Sequence, residues 1–171
     1  MSRLRPILLF AFSLLAIPAT TSAADPARPP VREPDRIIHP WQEGDWKGNL
    51  PSGWTTPGPE IQAPTDHMGG IITIKNVSDP ILAYFAPAPA SASAAKGLII
   101  CPGGGYNILA WDHEGTEVAT FLSARGYHAW VLKYRLPRPG NLDTVRHLPA
   151  LQDAQRSISF IRSQAETFKL D

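Results

Sequence analysis

An unbroken apolar run, Leu-Ile-Ile-Cys at residues 98–101, is the most prominent hydrophobic feature in the central part of the chain. A run without polar alternation is typical of a short strand that is buried on both faces of a sheet. Pro102 has no N–H to donate, so we predict that the strand ends there. Gly103, Gly104 and Gly105 follow directly, and glycine readily adopts positive φ angles. The pattern therefore predicts a buried strand that runs straight into a glycine turn.

Apolar runs at residues 71–75, 81–85 and 127–133 predict three further strands. The first two are separated only by residues 76–80, and so short a connection favours antiparallel neighbours. A helix is expected between strands 98–101 and 127–133. This strand-helix-strand order predicts a parallel pair joined by a right-handed crossover.

The helix that follows the glycine turn has recognisable end signals. Asp112 is a predicted N-cap, and Gly126 follows the last turn. Val118, Phe121 and Leu122 lie at i, i+3 and i+4, so we expect them to form the buried face of this helix.

Residues 150–168 carry the clearest helical periodicity of the chain. Pro149 suits the first helical position, because the N–H that it lacks would be unpaired there in any residue. Apolar residues spaced alternately by three and four are expected to face the core: Leu151, Ala154, Ile158, Ile161, Ala165 and Phe168.

The first 23 residues have the composition of a secretory signal peptide. Arg3 and Arg5 precede an apolar run at residues 7–17, and small residues follow it. Such an order predicts export to the periplasm or the extracellular space, with cleavage near Ala23 or Ala24.

Residues 24–68 contain nine of the 18 prolines, and neither a helical nor a strand period survives there. We predict an irregular Pro/Trp-rich arm, with the folded body occupying residues 69–171. Trp41, Trp46 and Trp54 are expected to pin this arm to the body through their large apolar area. A stacking platform for a carbohydrate is the alternative.

Charge and cysteine content narrow the possible functions. Removal of the leader residues Arg3 and Arg5 leaves 14 basic residues against 15 acidic ones, so nothing suggests nucleic acid binding. No segment after the signal peptide is apolar enough to span a membrane. The single Cys101 excludes an intrachain disulfide and is expected to be a core residue. His39 and His67 lack the spacing of metal ligands, and we expect neither a metal nor a cofactor.

The glycine turn carries the candidate chemistry. Its N–H groups have no side chains around them, and two of them aimed at a developing negative oxygen would form an oxyanion hole. A plain tight turn is the alternative. A phosphate-binding loop is disfavoured, because no Gly-Lys-Ser or Gly-Lys-Thr follows the glycines.

Four segments carry a resemblance to a known family: Pro102-Gly-Gly-Gly-Tyr106, Asp112-His-Glu-Gly-Thr-Glu-Val118, Leu132-Lys-Tyr-Arg-Leu-Pro137 and Leu151-Gln-Asp-Ala-Gln-Arg156. Together they resemble the secreted esterase/lipase group of α/β-hydrolases, which includes acetylxylan-esterase-like proteins. The resemblance implies that Gly104 and Gly105 supply oxyanion-hole N–H groups, and that Gly103 and Tyr106 line the substrate site. It also implies a small-molecule or carbohydrate ester as the substrate of the complete enzyme.

The chain departs from this family at the nucleophile. In the family, a Gly-x-Ser-x-Gly elbow follows the next strand, and the acid and the histidine come later. No Gly-x-Ser-x-Gly occurs here, and four serines lie on predicted helices: Ser123, Ser157, Ser159 and Ser163. The predicted fold class is therefore an incomplete α/β-hydrolase, with an N-terminal antiparallel strand pair followed by parallel β-α-β-α.

Two functions stay open. The chain is either the N-terminal fragment of a secreted carboxylic-ester hydrolase, inactive by itself, or a non-catalytic module that binds a glycan or a small anion. Closure of the sheet distinguishes them, because a self-sufficient module should protect its own strand edges. The first hypothesis predicts an open edge at residues 98–101.

Overall fold

The computed structural model describes residues 32–41, 45, 50, 54, 57–65, 70–88, 95–137 and 147–171. The predicted signal peptide, Trp46 and His67 lie outside these residues. None of the helices in the described residues is both long and apolar enough to cross a membrane.

A mixed four-stranded sheet forms the centre of the fold. Its strands, in spatial order, are β1 (Arg36–Ile38), β4 (Ile81–Phe85), β7 (His128–Lys133) and β5 (Gly97–Ile100). β4 is antiparallel to both β1 and β7, whereas β5 is parallel to β7. The predicted parallel pairing of these two strands is confirmed.

A second sheet contains β2 (Ile61–Pro64), β3 (Ile72–Lys75) and β6 (Leu109–Ala110), all antiparallel. The prediction that strands 71–75 and 81–85 are neighbours is therefore wrong. The connection between them is used for packing: Val77 is fully buried, and its carbonyl accepts a hydrogen bond from the Leu136 N–H at 2.9 Å.

Two strands lie in the segment that was expected to be irregular. β1 pairs with β4, and β2 pairs with β3, so the arm supplies one strand to each sheet. The folded body therefore begins before residue 69. The alternation of apolar and polar residues in these strands is too short to stand out among the prolines.

β5 lies at the edge of its sheet and pairs only with β7 among the described strands. Leu98 is 38% exposed, and Ile99 and Ile100 are half-buried. The expectation of burial on both faces holds in part: Ile99 packs against one hydrophobic cluster and Ile100 against the other, whereas Leu98 is exposed. The open edge predicted at these residues is confirmed for the part of the chain that is described.

The helix after the glycine turn begins with a π-helical turn, Asp112–Thr116, and continues as α1 (Glu117–Ser123). Asp112 is not its N-cap, since it lies inside the helix and its Oδ1 accepts the Ile72 and His113 N–H groups at 3.0 and 2.7 Å.

The buried face of this helix differs from the predicted one. Phe121 is 40% exposed, and the buried positions carry mostly small side chains instead: Gly115, Thr116, Ala119, Thr120 and Ser123. A Cβ on Gly115 would lie only 3.0 Å from Val131 Cγ1 and 3.1 Å from Pro102 Cγ. The helix approaches the sheet closely at this point, so small residues occupy the contact. Of the three predicted residues, Leu122 packs half-buried against the core, whereas Val118 and Phe121 are exposed.

α2 (Leu148–Ser163) and the short α3 (Ala165–Phe168) replace the single predicted helix. Leu151 and Ile158 of the predicted stripe are 47% and 40% exposed. The buried positions of α2 are Pro149, Ala150, Asp153, Ser157 and Ile161. The four candidate serines do lie on helices, as predicted.

A buried ion pair between Arg135 and Asp153 sets the orientation of α2. Both side chains are 0% exposed, and Arg135 Nη2 lies 2.8 Å from Asp153 Oδ1. The Arg135 Nε donates to both carboxylate oxygens at 3.0 Å, and its backbone N–H donates to Oδ2 at 2.9 Å. Trp41 of the arm adds an indole N–H donor to Oδ1 at 2.9 Å. The predicted anchoring by tryptophan is thus confirmed for Trp41.

We expect Asp153→Ala to lower the free energy of unfolding by about 3–5 kcal/mol, because it leaves the Arg135 charge buried without its counter-ion. Urea denaturation followed by tryptophan fluorescence measures this loss. Glu166→Ala, which removes an exposed carboxylate from α3, is the matched control. Equal stability of the two variants would contradict the importance assigned to the pair.

An aromatic cluster forms in the core, where Tyr84, His128, Trp130 and Phe168 contact one another. His128 is buried, and its Nδ1 lies 2.7 Å from the Tyr84 hydroxyl oxygen. Burial disfavours the imidazolium form and so lowers the pKa of His128 below its ordinary value of 6.5. The sequence offered no role for this histidine.

This lowered pKa predicts that stability falls in mild acid. Below pH 6.5 the unfolded chain takes up a proton at residue 128 before the folded protein does, so the free energy of unfolding decreases until the folded-state pKa is passed. His128→Gln keeps a polar group near Tyr84 but cannot titrate. Denaturation series across this range should show a steeper loss for the natural chain. Parallel curves would refute the assignment.

Candidate functional site

The glycine loop lies where β5 ends, and it contains three consecutive residues with positive φ. The φ angles of Gly104, Gly105 and Tyr106 are 138°, 61° and 63°. The loop closes on itself, because the Gly104 carbonyl accepts the Asn107 and Ile108 N–H groups at 3.0 and 3.3 Å. The backbone freedom predicted for the glycines is therefore used at two of the three.

Steric contacts distinguish the two positive-φ glycines. A Cβ on Gly104 would lie 2.2 Å from the Ile108 carbonyl oxygen, whereas one on Gly105 would meet Asn107 Nδ2 at 3.7 Å. Position 104 therefore requires glycine both for its backbone angle and for space. Position 105 requires it for the angle alone.

Two side chains hold the start of the loop. The Tyr134 hydroxyl donates to the Pro102 carbonyl at 2.6 Å, and Glu114 Oε2 accepts the Gly103 N–H at 2.7 Å. Burial raises the pKa of Tyr134 to about 12, so its hydroxyl keeps its proton at neutral pH. Neither residue was predicted as part of the site, because each acts on a backbone group that leaves no signature in the sequence.

A cavity of about 300 Å³ opens beside the loop, at the end of β5 and β7. Its lining is mainly apolar and aromatic: Cys101, Tyr106, Leu132, Tyr134, His147, Ala150, Leu151 and Ala154. The rings of Tyr106 and Tyr134 meet edge to face with centroids 6.3 Å apart. No serine is among the described residues that line this cavity.

Cys101 is exposed at this cavity, so the expectation of a core cysteine is wrong. The residue follows β5 at the open edge of the sheet, where no neighbouring strand in the described part covers it. The surrounding protein nevertheless raises the pKa of its thiol by desolvation. A thiol with a raised pKa stays protonated near neutral pH and is a poor nucleophile.

The remaining candidate residues lie away from the loop. His113 is exposed at the start of the helix, with its Nδ1 3.7 Å from Glu117 Oε2. His39 is also exposed, 3.9 Å from an Asp79 carboxylate oxygen. The structure thus brings together Gly103, Gly104, Gly105 and Tyr106 without any of the four helical serines. His147, which the sequence analysis did not single out, lines the cavity beside them.

Comparison with known proteins yields partial matches. No family model matches the chain. An acetylxylan esterase of Xylanibacter ruminicola is 30% identical over 87 residues, which are 51% of this chain and 16% of that protein. Endo-1,4-beta-xylanase B of Butyrivibrio fibrisolvens is 32% identical over 74 residues, or 43% of this chain and 11% of that protein.

Among solved structures, an acetyl ester-xyloside bifunctional hydrolase from Caldicellulosiruptor lactoaceticus is similar to 70% of this chain at 27% identity, with a TM-score of 0.45. The chain covers 41% of that structure. Over part of its length, the chain is related to esterase-like α/β-hydrolases. It spans only a small part of the curated relatives that it matches.

The two positive-φ glycines provide a matched pair for mutation. We expect Gly105→Ala to cost about 1–2 kcal/mol of stability, the usual penalty of a left-handed backbone for a residue with a Cβ. Gly104→Ala should cost clearly more, because the added methyl group also clashes with the Ile108 carbonyl. Chemical denaturation of the two variants measures the difference. Equal losses would show that Ile108 moves away freely.

Proposed function

We propose that this chain forms the front part of a secreted carboxylic-ester hydrolase and carries its oxyanion-hole loop. The main observation in support is the glycine loop, which contains positive-φ residues and lies at the end of the parallel strand β5. Among the described residues, the Gly104 N–H has no protein acceptor and is available to a ligand.

In the proposed enzyme, the N–H groups of Gly104 and Gly105 donate to the oxygen of the tetrahedral intermediate. The N–H of Gly103 is less suitable, because Glu114 already accepts it. Gly103 instead lines the substrate site together with Tyr106, whose ring borders the cavity beside the loop. These assignments extend the family resemblance with the geometry of individual backbone groups.

The proposed enzyme also needs a nucleophile, and the four helical serines do not suit that role. Ser123 and Ser157 are buried within helices. Ser159 and Ser163 are exposed, but helical backbone gives neither the strained turn of a nucleophile elbow. We therefore propose that none of these four serines starts acyl transfer at this loop.

The place of the nucleophile strand is suggested by the edge of the central sheet. Leu170 forms a parallel bridge with Ala95, two residues before β5. The Ala95 N–H donates to the Lys169 carbonyl at 3.0 Å, and the Asp171 N–H donates to the Ala95 carbonyl at 3.2 Å. A strand that continues in this direction would run parallel to β5 and end beside the glycine loop.

The substrate class follows from the partial relatedness to an acetylxylan esterase. We propose a small or carbohydrate acetyl ester as the substrate of the whole enzyme, with export directed by residues 1–23 and no cofactor. The alternative is a module that binds a glycan or a small anion. It is weakened at Trp41, because the guanidinium carbons of Arg135 and Arg156 lie 5.6 and 5.8 Å from the centre of that ring and compete for its faces. Binding of a xylo-oligosaccharide without turnover would favour that alternative.

We expect the 171-residue chain to be inert toward p-nitrophenyl acetate and toward a fluorophosphonate probe, because an oxyanion hole alone cannot begin acyl transfer. Any longer product of the same reading frame serves as the positive comparison. In that product, Gly104→Ala should lower kcat by about 100- to 1,000-fold, with a smaller effect on KM.

Two results would contradict the proposal. Saturable turnover with labelling of a single serine in the 171-residue chain would show that the nucleophile is already present. An unchanged kcat in the longer Gly104→Ala variant would reduce the glycine loop to a structural turn.

A further inference from the structure

Glu114 reaches the glycine loop from the π-helical turn Asp112–Thr116. Its neighbour Gly115 allows this approach, since the missing Cβ lets the turn pack directly against Pro102. The Glu114 carboxylate reaches Gly103, the residue after Pro102, and its Oε2 accepts the Gly103 N–H at 2.7 Å. A carboxylate acceptor makes this a charge-assisted hydrogen bond, which is stronger than a neutral one.

The Pro102 carbonyl and the Gly103 N–H belong to the same planar peptide unit. The Tyr134 hydroxyl donates to the oxygen of this unit at 2.6 Å, while Glu114 accepts its N–H. Rotation of the plane about its flanking bonds would break both hydrogen bonds at once. The two side chains therefore hold one peptide plane from opposite ends.

The next peptide plane, which carries the Gly104 N–H, is held by a hydrogen bond of its own. The Gly103 carbonyl accepts the Ala110 N–H at 2.9 Å, which directs the attached Gly104 N–H to the opposite side. Gly104 then adopts its φ of 138°. An isolated Gly-Gly-Gly segment would sample many orientations of these N–H groups, because glycine restricts its backbone so little.

We propose that Glu114 is a positioning residue of the glycine loop: together with Tyr134 it locks the Pro102–Gly103 peptide plane and, with the Ala110 hydrogen bond on the next plane, limits the orientations of the Gly104 N–H. The two hydrogen bonds of this lock are present whatever reaction the protein catalyses. The consequence of the lock for catalysis rests on the proposed function, since only then does the Gly104 N–H act on a reacting oxygen.

Amide hydrogen exchange on the ¹⁵N-labelled chain tests the lock directly. Glu114→Ala should speed exchange at Gly103 by about tenfold or more, in line with the loss of a hydrogen bond to a charged group. Glu114→Gln should restore most of the protection, because its amide oxygen can accept the same N–H. Glu166→Ala, an exposed carboxylate on α3, should leave Gly103 unchanged.

Trp130, in the middle of the central sheet, reports whether each variant is folded. If Glu114→Ala also speeds exchange at Trp130, that variant is destabilised as a whole and Tyr134→Phe is used in its place. This substitution removes only the hydroxyl that binds the other end of the peptide plane. Faster exchange at Gly103 in that variant, with Trp130 unchanged, supports the lock. Unchanged exchange at Gly103 in both folded variants overturns it.

A kinetic measurement separates this inference from the proposed function. In a longer, active product, Glu114→Ala should lower kcat more than it raises KM, and Glu114→Gln should recover kcat. Loss of Gly103 protection without any effect on kcat would preserve the lock and show that it does not control the Gly104 N–H during turnover. The oxyanion role itself is tested separately by Gly104→Ala. Normal Gly103 protection would refute the lock whatever the activity.

Discussion

The buried ion pair between Arg135 and Asp153 determines how the parts of this protein fit together. Arg135 follows the central strand β7, and Asp153 lies on α2, so the pair joins sheet to helix. Removing both charges from water is unfavourable, and only near-complete hydrogen bonding offsets that penalty. Arg135 meets this requirement with bonds to the carboxylate and to the Pro149 carbonyl, while Trp41 supplies a further donor from the arm. The rotation of α2 that results also places Ala150 in the wall of the cavity beside the glycine loop.

The elements that depend on local signals were predictable from the sequence. The strand before Pro102, the helix before Gly126 and the parallel strand at 128–133 all appear close to their predicted positions. The faces that these elements bury were not predictable in the same way. α1 turns small residues such as Ala119 toward the sheet because the helix approaches it closely at Gly115. α2 buries the Asp153 carboxylate because Arg135 pairs with it, and this partner lies 18 positions away, beyond the reach of a local pattern. Hydrophobic periodicity identifies a helix, but tertiary contacts select which stripe is buried.

The candidate site shows the same division between local and distant causes. Three consecutive glycines after a proline indicated a loop with unusual backbone angles, and the structure has such angles at Gly104 and Gly105. The groups that shape this loop, Glu114 and Tyr134, bind a carbonyl and an N–H. Nearly every residue type offers such backbone groups, so no residue pattern identifies their partners. The exposed position of Cys101 was equally hidden, because it depends on which strands flank β5.

The attachment of the arm has a consequence for the order in which the protein folds. The Trp41 indole N–H reaches a carboxylate 112 positions later in the chain, and the Pro40 carbonyl accepts a bond from Arg156, 116 positions later. Contacts of such sequence separation carry a large loop-closure entropy, so they form only when shorter-range structure has already brought their ends together. The unit from β5 through α1 to β7 is far more local and can form without the arm. The arm is synthesised before α2, yet the partners of Trp41 and Pro40 are in place only after α2 has docked. This part of the arm is therefore one of the last to become ordered.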